Sequence, residues 1–159
     1  MKKQKSLQQE DKKYFVQYTL VFLILFFLCF GVYLILYKKA FFRSVDGFDQ
    51  HYISFMYLGK WGRSIIKDLF VNHHFSIPLW SQAIGYGGDI PTSLAAYLWD
   101  PFNWISFFIP AKYAELGYAM MITMKFYVCG IAYSIFARHR NYPYYSVLCG
   151  ALIYTFSAV

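Results

Sequence analysis

Asp46-Gly-Phe-Asp49-Gln50-His51-Tyr52 places two carboxylates, an amide and an imidazole within seven residues. A carboxylate in such a cluster can take a proton from an attacking hydroxyl, and the same donors can ligate a divalent metal. The plainer role is a helix start, with Asp46 or Asp49 capping the first turn and its charge favoured by the helix dipole. A few residues on, Lys60, Arg63 and Lys67 fall within about 60° of one another at 100° per residue, a cationic stripe on one helix face. Such a stripe suits lipid phosphates in general or one phosphate held as a ligand. Lys125 interrupts a long apolar run near its middle, where a lysine either snorkels to an interface or faces inward to a partner. The run Gly85-Tyr-Gly-Gly88-Asp89-Ile-Pro91 lacks the Gly-Lys-Ser/Thr of a nucleotide-binding loop and reads instead as a tight turn.

The chain that must position these groups has the composition of a membrane protein. Charged residues make up 14% and hydrophobic ones 58%, against roughly 25% charged in a typical soluble chain. Disorder, collagen and disulfide scaffolds each need a polar, glycine-periodic or cysteine-rich composition and are excluded. The net charge of +7 does not point to nucleic acid, because no recognition motif accompanies it. Five lysines instead crowd into residues 1–13, directly before an apolar segment. That is the flank expected on the cytoplasmic side of a membrane, where anionic lipid and topology both favour lysine. Cys29, Cys129 and Cys149 lie in apolar segments without a zinc-type spacing and read as small packing residues.

Residues 14–37 carry no charge over 24 positions, about 36 Å of helix, which is long enough to cross a bilayer. A cleaved signal peptide would have an apolar core of only about 7–15 residues followed by small residues. Here Lys38-Lys39-Ala-Phe-Phe follows, so an uncleaved first span is expected. Residues 116–137 form a second span, 138–143 a basic link, and 144–159 the start of a third that ends within an apolar run, as the N-terminal part of a longer protein would. The basic tail (1–13) and the basic link then share the cytoplasmic side.

Between the first two spans, residues 38–115 hold six of the eight acids and three of the four histidines. A plain connector would be far shorter, so the chemistry is expected here, outside the cytoplasm. Within it, Ile53, Tyr57, Trp61, Ile65 and Leu69 recur every four residues, which predicts an amphipathic helix over 50–70 lying in the membrane interface. Gly59 and Gly62 weaken that helix. Residues 90–111 are apolar but divided by Asp100-Pro101 into halves too short to span, so two short membrane-dipping helices are expected. The fold expected is an all-α polytopic membrane protein with its N-terminus cytoplasmic.

The order of these features resembles that of the YfhO-type bacterial membrane proteins. An early external Asp and Gln50-His51-Tyr52 are followed by a surface helix, a Gly-x-Gly-Gly turn and Ala96-Tyr97-Leu98-Trp99-Asp100-Pro101-Phe102-Asn103. The likeness runs over roughly residues 21–137. That family is grouped with polytopic glycosyltransferases of the GT-C architecture. The resemblance implies the N-terminal part of a GT-C-like helical bundle with a long external first loop. It further implies transfer of a sugar from a polyprenyl-phosphate donor to a cell-envelope polymer such as lipoteichoic acid. An acidic residue of the first external loop would act as base or assist a divalent metal. The position matching that acid is Asp46, but neither Asp46, six residues before Tyr52, nor Asp49, three before it, has the family's usual spacing. Asp100 stands where the family more often has a small polar residue. His51, Lys60, Arg63, Lys67 and Lys125 complete the candidate substrate-binding set. Two other classes fit a polytopic chain: a transporter or flippase using Lys125 and Asp100, and a non-catalytic assembly subunit.

Overall fold

The structure is a computed structural model, and it describes residues 2–31, 35 and 47–157. It is mostly helical, with one two-stranded hairpin among the described residues. Two compact units are formed, one by 1–39 with 124–159 and the other by 40–123.

The first unit contains α1 (Lys2–Phe26), which runs into a π-helical turn at Phe27–Gly31. It also holds the later part of α5 (Ala114–His139) and all of α6 (Tyr144–Phe156). Two stretches, Glu10–Gly31 and Ala111–His139, are long and apolar enough to cross a membrane. Their packing is the reverse of a soluble bundle. Leu20, Leu23, Ile24 and Leu28 are exposed, while Tyr14, Tyr18 and Phe22 are buried against Ala137, Val147, Leu148 and Ala151. In lipid the apolar surface gains nothing by hiding, and association relies on close packing and interhelical hydrogen bonds. The hydroxyls supply those bonds. Tyr14 Oη pairs with Ser134 Oγ at 2.8 Å, Tyr18 Oη donates to the Tyr127 carbonyl at 3.2 Å, and Thr19 Oγ1 meets Tyr127 Oη at 2.8 Å. A methyl group at Gly130 would lie 2.0 Å from Tyr18 Oη, so only glycine admits that ring. At the basic end Arg138 forms an ion pair with Asp11 and covers the Tyr14 ring, its guanidinium carbon 4.9 Å from the centroid. Cys29 and Cys149 are exposed and Cys129 is partly buried, so of the three cysteines read as packing residues two lie outside the described core.

The second unit is built around α2 (Ile53–Phe70), preceded by a π-helical turn at Gly47–Tyr52. Its buried face is Phe55, Leu58, Gly59 and Gly62, the i, i+3, i+4, i+7 spacing of one helical face. Against it lies a 3₁₀ helix, Pro101–Phe107. The two glycines do not break α2. They let the partner come close: a Cβ at Gly59 would sit 2.7 Å from the Ser106 carbonyl oxygen, and one at Gly62 2.4 Å from Phe107 Cδ1. Phe55 packs with Tyr118 and Met121, while Leu58 packs with Ile90 and Leu94.

Strands β1 (Trp80–Ser81) and β2 (Gly88–Asp89) pair antiparallel, Trp80 opposite Asp89. Gly85 and Gly87, with φ of 57° and 117°, turn the chain between them. Asp89 then caps α3 (Ile90–Ser93), accepting from the Thr92 N–H at 2.9 Å. Hydrogen bonds from the Thr92 hydroxyl, and then from its backbone N–H, hold the Asp89 carboxyl below the usual aspartate range. After α4 (Ala95–Leu98), Asp100 caps the 3₁₀ helix through Phe102 N–H at 3.1 Å, and Pro101 occupies the first turn. The indole of Trp61 donates to the Pro78 carbonyl at 2.8 Å, fixing the chain after α2 back onto it.

Candidate functional site

The acidic cluster falls on the π-helical turn that leads into α2. A π turn widens the helix by one residue and re-aims the side chains on it, and such turns recur at functional sites. Asp49 and His51 on this turn are both exposed. Asp46 lies outside the described residues. His51 Nδ1 is 2.8 Å from the hydroxyl of Tyr97, and the two rings meet edge to face with centroids 5.8 Å apart. If Tyr97 donates, Nδ1 accepts and the proton of the neutral imidazole sits on Nε2.

Tyr97 is itself held. Its carbonyl accepts from Asn103 Nδ2 at 3.2 Å, and the same amide donates to Asp100 Oδ2 at 3.3 Å. Asn103 is buried, so these bonds satisfy a group that could not remain unpaired at low cost. The Tyr97-to-Asn103 run is therefore a self-bonded turn that presents the tyrosine hydroxyl to His51. Residue chemistry alone does not single out Tyr97; only its place in that run signals it. Burial, then the nearby Glu115 carboxylate, raises the pKa of Tyr52, the residue following His51.

The three cations of α2 differ in surroundings. Lys60 and Lys67 are exposed. Arg63 is half-buried, and its Nη1 donates to the carbonyls of Ser106 and Ile109. It thus closes the C-terminal end of the 3₁₀ helix, whose last carbonyls have no partner within the helix. Lys60 and Arg63 border a cleft of about 240 Å³ whose remaining lining is chiefly apolar. Lys125 lies half-buried within α5, in the other unit. Among the described residues no three of His, Cys, Asp and Glu gather as metal ligands.

The family model described as Bacterial membrane protein YfhO matches residues 14–159. The chain belongs to this family. No curated protein and no solved structure matches it. Membership of the YfhO family and the two membrane-length helices make this a membrane protein. The acidic turn, the Tyr97 clasp and the cationic helix all fall within the stretch matched to the family.

Proposed function

We propose that this YfhO-family chain contributes the extracytoplasmic side chains that engage the acceptor hydroxyl and the donor phosphate of a membrane glycosyltransferase. The observation that carries the reading is the exposed Asp49–His51 turn, clasped by Tyr97 on the stretch between two membrane-length helices. An acceptor hydroxyl is a poor nucleophile at neutral pH. A carboxylate, Asp46 or Asp49, takes its proton as the oxygen forms the new bond to the sugar's anomeric carbon. The bond from that carbon to the donor phosphate oxygen breaks, and the phosphate leaves with the electron pair. Lys60 and Lys67 stabilise its growing charge, which is larger in the transition state than in the bound donor. Arg63, engaged with two carbonyls, shapes the helix face that carries them. His51, held at one nitrogen, orients the acceptor with the other.

The donor class is a polyprenyl-phosphate sugar and the acceptor class a cell-envelope polymer. Both would be reached from the outer face of the bacterial cell membrane. The test uses the intact protein in membranes with such a donor, following sugar incorporated into polymer. Asp46→Asn and Asp49→Asn are compared, because asparagine caps a helix as well as aspartate does but cannot act as base. Loss of about 10²–10⁴-fold in one of them, at unchanged protein abundance, assigns the base. Full activity in both and in the double variant removes this turn from the chemistry.

A further inference from the structure

The cleft bordered by Lys60 and Arg63 has a lining that the transfer chemistry does not use. Ile53, Met56, Ile109, Ala111 and Ala114 form its apolar wall. At about 240 Å³ it exceeds the roughly 150 Å³ of apolar cavities that take up a hydrocarbon guest. Ala111 and Ala114 also belong to the first turns of the membrane-length stretch Ala111–His139. The cleft therefore lies beside the first turns of a helix long and apolar enough to cross a membrane.

Its polar atoms point to a ligand with a charged head. Lys60 is exposed at the rim, with its ammonium not engaged in any ion pair seen among the described residues. Ser106, on the same wall, is 2% exposed, and its Oγ is the one buried side-chain polar atom without a hydrogen-bond partner among the described residues. Leaving a buried hydroxyl unpaired is unfavourable, but this oxygen is closed off from the cleft, so the exposed Lys60 ammonium is the group within reach of a charged head. Arg63 keeps the wall in place by binding the Ser106 and Ile109 carbonyls.

We infer that this cleft binds one anionic membrane lipid, with part of its hydrocarbon chain against Ile53, Met56 and Ile109 and its phosphate at Lys60. The shared chemistry is an apolar chain ending in a phosphate, supplied either by the polyprenyl-phosphate donor or by a resident phospholipid. The donor outcome rests on the transferase reading, whereas lipid binding itself needs only a chain embedded in a membrane.

The experiment places the intact protein in phosphatidylcholine vesicles containing phosphatidylglycerol with a photoreactive group in its acyl chain. Cross-linked peptides are identified by mass spectrometry. Labelling is expected on the α2 and Ile109–Ala114 peptides, and Ala111→Phe, which fills the cleft from an exposed position, should remove most of it. Lys60→Gln should lower labelling by the anionic probe about fivefold, the effect of one lysine near an anionic surface. Labelling by an uncharged diacylglycerol bearing the same group should be unchanged. If Ala111→Phe does not fold, Met56→Trp replaces it. Stronger displacement of the probe by unlabelled polyprenyl phosphate than by phosphatidylglycerol assigns the cleft to the donor; the reverse assigns it to a resident phospholipid. Equal labelling in wild type, the cleft-filling variant and Lys60→Gln, or labelling confined to exposed residues such as Val16 and Leu20, overturns the proposal.

Discussion

The hydroxyl of Tyr97 and Nδ1 of His51 lie 2.8 Å apart although 46 residues separate them in the chain. This bond ties the acidic turn to the motif run around Asp100-Pro101. A double-mutant cycle of His51→Ala and Tyr97→Phe should therefore give a coupling energy of about 0.5–1.5 kcal/mol, the net worth of one such bond. Thermal unfolding of the purified protein in detergent measures it. Strict additivity of the two single changes would show that the pair is not coupled.

Alanine in place of an exposed helical glycine normally stabilises by up to about 1 kcal/mol. At Gly59 and Gly62 the sign should reverse, with a loss of about 1–3 kcal/mol from overpacking. The two sites should also differ in rescue. Phe107→Ala removes all the ring atoms that a methyl at position 62 would strike, so Gly62→Ala should cost less in that background. The same change should leave Gly59→Ala unrepaired, because the obstacle there is the Ser106 backbone oxygen. Melting temperatures of the single and double variants decide this.

Asp89 has a folded pKa below its unfolded one. Its capping contribution is therefore complete above the ordinary aspartate value and is lost as pH falls through the lower folded value. The protection factor of the Thr92 amide in hydrogen exchange should fall over that window. Asp89→Asn keeps a neutral cap and should make the protection independent of pH in the same range. A wild-type profile that stays flat to low pH would contradict the assignment.

Topology is testable with two cysteines in a background where Cys29, Cys129 and Cys149 are serine. Ser76→Cys, on the stretch read as external, should react with a membrane-impermeant thiol reagent in intact cells. Asn141→Cys, in the basic link, should react only after permeabilisation. Labelling of Asn141→Cys alone would invert the orientation.

The membrane class and the family are legible in the sequence because both rest on long-range composition: the charge-free run 14–37 and an ordered set of motifs. The helical period after Tyr52 is also legible, but its inward face is not. The stripe Ile53, Tyr57, Trp61, Ile65, Leu69 drifts around the helix, and Ile53 and Leu69 end up exposed. The buried face instead includes Gly59 and Gly62, which carry almost no hydropathy signal and matter for what they leave out. Arg63 reads as one cation of three, yet its guanidinium closes a neighbouring helix end, a role set by carbonyls more than 40 residues away. The Tyr97–His51 bond is hidden for the same reason, since periodicity sees neighbours and this contact is not local. Asp46, the residue the resemblance favours as base, lies outside the described residues.

All four tryptophans, Trp61, Trp80, Trp99 and Trp104, belong to the 40–123 unit. The tyrosine-rich packing around Tyr14 and Tyr18 contains no indole. Light emitted after selective indole excitation therefore comes from one unit alone, as a native optical reporter. Trp61, half-buried and bonded to Pro78, would sense loosening of that unit, while exposed Trp80, Trp99 and Trp104 would sense what comes to cover them. Insertion into vesicles and unfolding in detergent can thus be followed in the unlabelled protein, with the membrane helices spectroscopically silent.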